Sequence, residues 1–180
     1  MAATYKVAVL AGDGIGPEIT QQALRVLRLI EQKRDVIFAC EEAEFGAAAY
    51  FSTGKAFPDA TKKACDEADA ILKGPIGLSH EESEKIPVEE RPERGALLPM
   101  RRRLNTYANF RPISLPKGMA HFSPLKPEIV GEGIDIMLIR ELIGGLYFGG
   151  KERGTTKEGL RYVKESLDYD EQQIRQILVV

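Results

Sequence analysis

The chain has 180 residues, 25 basic and 27 acidic side chains, and a formal net charge of -2. With 43% hydrophobic and 29% charged residues it has a globular composition, which excludes disorder and collagen-like repeats. The charge balance leaves no footprint for nucleic acid, and no apolar run approaches the ~20 residues of a membrane helix. In chain order, the β-branched run 5–11 predicts a buried strand that ends at glycine. Ile19, Ala23, Val26, Leu27 and Ile30 recur at helical spacing after Pro17, which predicts a helix. A strand at 36–40, helices at 45–51 and 58–68, and a strand at 70–72 follow. This alternation predicts an α/β layer with a parallel sheet.

Segment 78–95 carries Glu81, Glu82, Glu84, Glu89, Glu90 and Glu93 with Pro87 and Pro92, and reads as a solvated surface loop. A short helix at 96–104 and a strand at 106–113 come next. A proline-rich connection then leads to a very apolar buried strand at 134–139. Residues 157–168 suit a hairpin-like arm. An amphipathic helix starts at 171 and is still running at 180. Cys40 and Cys65 are too few for a disulfide framework or a zinc site, and read as small buried hydrophobes. With no signal peptide, the expected location is cytoplasmic.

Three features could carry chemistry. Gly12-Asp13-Gly14-Ile15-Gly16-Pro17-Glu18 lies between strand and helix, where glycines allow a tight turn and close ligand approach. Its spacing does not fit the Rossmann G-x-G-x-x-G fingerprint. Arg101, Arg111 and Arg140 could clamp a di- or tricarboxylate, because planar guanidinium pairs with carboxylate through two hydrogen bonds. The run at 101–103 also suits a solvated helix face, and Arg140 with Glu141 a structural ion pair. Tyr147 sits in a glycine-bracketed stretch, where a phenol could act as a general acid or simply pack.

Together GDGIGPE at 12–18, PERGALLPMRRRLNTYANFRP at 92–112 and IRELIGGLYFG at 139–149 resemble the β-decarboxylating dehydrogenases of 2-hydroxy acids, the isocitrate/isopropylmalate family. The resemblance covers essentially the whole chain. It implies an α/β, isopropylmalate-dehydrogenase-like two-domain fold that is incomplete and not Rossmann. Residues 1–105 would belong to the first α/β domain, and 106–180 would start a second, dimer-forming domain with an arm at 153–168. It further implies that Arg101, Arg111 and Arg140 hold substrate carboxylates and that Tyr147 protonates the enol carbon after decarboxylation. Ile15, Gly77, Leu78 and Glu93 would border the cofactor, NAD. The aspartates that bind Mg²⁺ or Mn²⁺, and the catalytic lysine, would lie beyond Val180.

Leu97 and Leu98 fall where the isopropylmalate branch meets its apolar side chain, since leucines would leave a third carboxylate unpaired and desolvated. This favours NAD-dependent oxidative decarboxylation of 3-isopropylmalate in leucine biosynthesis, by a homodimer when complete. The 180 residues alone are expected to be an inactive N-terminal fragment. LKGPIGLSH at 72–80 resembles the isocitrate and homoisocitrate branch, so a dehydrogenase of that type is the alternative, with a non-catalytic dicarboxylate-binding module as the rival.

Overall fold

The computed structural model describes residues 2–142 and 148–178. It divides into two compact units, Met1–Leu104 and Asn105–Val180.

In the first unit, strand β1 (Ala3–Leu10) is central, with β2 (Val36–Glu42) and β3 (Ala70–Lys73) parallel to it on either side. Val9 stands opposite Glu42 on one side and Leu72 on the other. A strand covered on both faces needs no alternation of polar residues, and Val7, Ala8, Val9 and Leu10 are all buried. Their side chains still alternate between faces. Val7 and Val9 pack with Leu24 of helix α1 (Gly16–Lys33). Leu10 packs on the other side with Phe45, Phe57, Cys65, Ala96 and Met100. Phe45 meets Phe57 edge-on, with ring centres 5.4 Å apart. Helices α2 (Ala47–Thr53) and α3 (Asp59–Glu67) precede β3, so the parallel sheet expected from the alternating pattern is present.

The helix expected after Pro17 is present as α1. Along α1 the inward stripe runs through Thr20 and Leu24, while Ile19, Val26 and Ile30 are exposed. Ala23 and Leu27 of the expected set are half-buried, and Leu27 packs against the Val7–Val9–Leu24 cluster. Cys40 is exposed on β2, and only Cys65 is buried.

Segment 78–95 also departs from expectation and is not a plain solvated loop. It holds helix α4 (His80–Ser83), a 3₁₀ turn at Val88–Glu90 and a π-helical turn at Pro92–Leu97. Ile86 is buried, and the Ala56 N–H donates to Glu90 Oε2 at 2.8 Å. A reciprocal capping box of Ser79 and Glu82 starts α4. The helix expected at 96–104 is α-helical only as α5 (Leu98–Arg103). Before it, the Leu98 N–H reaches back five residues to the Glu93 carbonyl. Pro99 has no N–H to continue an ordinary ladder there, which favours the wider turn.

In the second unit, β4 (Ala108–Pro116) and β5 (Gly133–Glu141) form a nine-residue antiparallel ribbon. Between them lie a 3₁₀ segment (Lys117–Phe122) and helix α6 (Pro127–Val130). Pro112 sits mid-strand in β4, a position proline tolerates only where its missing N–H faces an open edge. The segment expected to be a buried strand at 134–139 is a strand but is not buried: Ile136, Met137, Leu138 and Ile139 are each about half exposed. One paired neighbour covers one edge, not a face. The expected arm is a hairpin of β6 (Lys151–Thr155) and β7 (Arg161–Glu165), starting earlier than its composition suggested. Helix α7 (Glu171–Leu178) closes the described chain.

Candidate active site

The loops at the carboxyl ends of β1 and β3 carry the first set of candidates. A Cβ at Gly12 (φ +78°) would collide with the Pro75 carbonyl oxygen, so the two loops touch because residue 12 has no side chain. The Asp13 N–H donates to that same carbonyl at 2.9 Å. Asp13 is the only charged side chain fully buried among the described residues. Its Oδ1 accepts the Ala48 N–H at 2.8 Å and its Oδ2 the Gly77 N–H at 3.0 Å. Ile15 is 61% exposed on the outer side of this loop. Gly77 is exposed, with open space where a side chain would be, while Leu78 is half-buried. Beside them, a cavity of about 320 Å³ is lined by Val9, Ala11, Gly12, Glu42, Glu44 and Phe45. That volume is at the low end of ligand clefts, and crevices at the carboxyl ends of parallel strands are where such folds bind ligands.

The second set lies on the π turn and α5. Glu93 is exposed on the π turn, and Leu97, Leu98 and Arg101 are half-buried. Leu97 and Leu98 stand four and three residues before Arg101, so the three share a helix face. Leu97 also packs against the Phe45–Met100 core. Arg103, one of the run at 101–103, is paired: its Nε donates to Asp66 Oδ1 of α3 at 2.8 Å, and its Nη2 to Oδ2. This pairing holds the Asp66 carboxyl below the usual carboxylate range. Lys73, the last residue of β3, is half-buried and donates to the Gly74 carbonyl at 2.7 Å. Burial pushes its ammonium below the ordinary lysine value. The Arg101 guanidinium pushes the same way, and Asp13 opposes both.

The third set lies on the β4–β5 ribbon. Asn109 stands directly opposite Arg140, and Arg111 is two residues further along β4. Opposed residues share a face, so Arg111 and Arg140 are diagonal neighbours, a separation that long side chains bridge. The Arg111 Nε donates to Asn109 Oδ1 at 2.7 Å, which aligns the guanidinium on that face. Tyr147 lies outside the described residues.

Sequence reasoning passed over Asp13 and Lys73. A buried carboxylate looks like any turn aspartate when its partners are 35 and 64 residues away. Its place between three glycines was the available signal. Lys73 stands in the LKGPIGLSH stretch, whose sequence signal marks only the branch it resembles.

Residues 6–180 match the family described as isocitrate/isopropylmalate dehydrogenase. The chain is 46% identical over 150 residues to the 3-isopropylmalate dehydrogenase of Campylobacter jejuni, covering 83% of this chain and 41% of that protein. It is 40% identical over 178 residues to the enzyme of that name from Buchnera aphidicola, covering 98% and 48%. Isocitrate dehydrogenase from Methylococcus capsulatus shares the fold, with a TM-score of 0.69 at 24% identity, over 97% of this chain and 45% of that one. The β-decarboxylating dehydrogenase of Thermococcus kodakarensis aligns with a TM-score of 0.62 at 26% identity, over 96% and 43%. The chain thus spans under half the length of the relatives it matches. On the family match, which runs through the glycine loop, α5 and the β4–β5 ribbon, the chain belongs to the isocitrate/isopropylmalate dehydrogenases.

Proposed function

We propose that this chain forms part of a dehydrogenase that oxidatively decarboxylates 3-isopropylmalate in leucine biosynthesis. The observation that carries the reading is the family match together with relatives of 40–46% identity that bear that enzyme's name. The residues then take the following roles. Arg101, Arg111 and Arg140 hold substrate carboxylates through paired, charge-assisted hydrogen bonds. Leu97 and Leu98, on the face of Arg101, receive the apolar substrate branch and disfavour a third carboxylate, which they would leave unpaired. Tyr147 delivers a proton to the carbon that loses CO₂. Ile15, Gly77, Leu78 and Glu93 border the nucleotide.

Hydride acceptance is the chemistry NAD⁺ supplies when bound. The family also implies a divalent metal. Among the described residues no group of three His, Cys, Asp or Glu could hold Mg²⁺ or Mn²⁺. By the family resemblance the metal aspartates and the catalytic lysine lie outside these 180 residues, which alone are expected not to turn over. Cytoplasmic location and a homodimeric complete enzyme belong to the same proposal. Among the described residues no helix is long and apolar enough to cross a membrane.

The KGP triplet beside Arg101 favours a second reading, an isocitrate- or homoisocitrate-type substrate with an additional carboxylate near Lys73. The test is isothermal titration of the purified chain with 3-isopropylmalate, isocitrate and homoisocitrate. Preference for 3-isopropylmalate, lost in Leu97→Ser, supports the first reading. Preference for a tricarboxylate, lost in Lys73→Met, supports the second. NAD-dependent turnover by the 180-residue chain would overturn its assignment as catalytically incomplete.

A further inference from the structure

The family roles leave Asp13 unused, yet its backbone and side chain together tie three separate segments of the first unit. Its backbone N–H holds the Pro75 carbonyl at 2.9 Å, and its own carbonyl accepts the Gly16 N–H at 2.8 Å. Its two carboxylate oxygens take one N–H each, from Ala48 in the first turn of α2 and from Gly77 after β3. It is 5% exposed. A buried carboxylate is tolerable only when both oxygens are satisfied, and hydrogen bonds to an ionised acceptor are roughly twice as strong as neutral ones.

The space around it is fitted to aspartate. Gly46 (φ +84°) faces the carboxylate, and a Cβ there would lie 2.6 Å from Oδ2. A glutamate would carry an extra methylene into this closed slot. An asparagine has the right shape but only one accepting oxygen, so it cannot receive both N–H groups. With both oxygens engaged and almost no surface, the carboxylate is built to hold backbone, not to meet a ligand.

We infer that Asp13 is the positioning residue of the candidate site, tying the glycine loop, the start of α2 and the 75–78 turn to one carboxylate. What it positions for a nucleotide, Ile15 together with Gly77 and Leu78, rests on the proposed function. The lock itself does not. Asp13 thereby sets the spacing of two loops that the parallel sheet alone leaves adjustable, since β1 and β3 both end before them.

The test is residue-resolved amide exchange on the ¹⁵N-labelled 180-residue chain, comparing the wild type with Asp13→Asn and Asp13→Glu. The expected result is that Asp13→Asn speeds exchange at Gly77 or Ala48 by roughly tenfold or more, as loss of a charge-assisted bond requires. The amides of Val7–Leu10 should be unchanged, and Asp13→Glu should not restore protection. Unchanged Gly77 and Ala48 would overturn the inference. So would acceleration spread equally through β1, failure of Asp13→Asn to fold, or rescue by glutamate, because each makes Asp13 a general stabiliser. A second arm adds NAD⁺. Added protection at Gly77–Leu78 in the wild type that weakens in Asp13→Asn supports positioning for the nucleotide, and equal protection in both chains counts against it. No NAD⁺ effect in the wild type counts against the cofactor assignment alone and leaves the exchange comparison standing.

Discussion

Strands β1 and β5 carry similarly apolar runs, Val7–Leu10 and Ile136–Ile139, yet end in opposite surroundings. The first is 0–6% exposed and the second 47–54% exposed. β1 has a paired strand on each edge and packed side chains on both faces, whereas among the described residues β5 pairs with β4 alone. An apolar β-branched run therefore specifies a strand, while burial is decided by what else is close enough to cover it. The same contrast separates the functional candidates. Those of the first unit are held by long-range hydrogen bonds around Asp13. Arg111 is held by a local bond to Asn109 on an open ribbon.

The largest expected effect breaks or upholds this contrast with one chemistry at two places. Leu10→Ala empties a position with 0% exposure and should cost about 2–5 kcal/mol of stability. Leu138→Ala removes the same atoms from a half-exposed site and should cost at most about 1 kcal/mol. Urea unfolding followed by far-UV circular dichroism measures both, since the chain has no tryptophan to report. Equal losses would mean that β5 is covered in solution and that the contrast is false.

A smaller effect concerns the ion pair that joins α3 to α5. Arg103 depresses the Asp66 pKa from 3.8, so the folded state binds fewer protons there than the unfolded state. The pairing's contribution is therefore fully present above pH 3.8 and lost as pH falls through the lower folded value. Carboxyl chemical shifts against pH should place Asp66 below 3.8, and Arg103→Gln should return it toward that value. A midpoint at or above 3.8 in the unmodified chain would show that the pair does not form in solution.

Much of the first unit was legible in the sequence because its signals are local. A β-branched run, a glycine turn and Pro17 at a helix start each act within a few residues, and they gave the strand–helix alternation. The arginine set was legible through motif resemblance, and the register of β4 on β5 adds that Arg111 and Arg140 share a face. What was illegible depends on distant partners. Segment 78–95 looks solvated by composition, yet Ile86 and Glu90 anchor it to residues whose nearness only the fold creates. The burial of β5 was misread for the complementary reason: hydropathy records a side chain's preference, not the presence of a neighbour. Asp13 carries no local signal, because a carboxylate between glycines is ordinary in turns and its two donors come from other elements.

The smallest expected effect tests the covered end of the sheet itself. Lys73 closes β3, and burial together with the Arg101 guanidinium lowers its pKa from 10.5. Between its folded pKa and 10.5 the unfolded chain binds more protons at this site than the folded one. Unfolding free energy should therefore rise with pH across that window, because deprotonation relieves a charge the fold has partly stripped of water. Lys73→Met removes the titrating group, so its stability should lack this rise while the unmodified chain keeps it. Arg111, exposed on the open ribbon, supplies the control: Arg111→Met should leave the rise intact, since arginine stays charged throughout. Urea titrations from about pH 8 to pH 10.5 measure all three chains. A rise of equal size in Lys73→Met would place its origin elsewhere and would mean that water reaches the Lys73 ammonium as freely as it reaches Arg111.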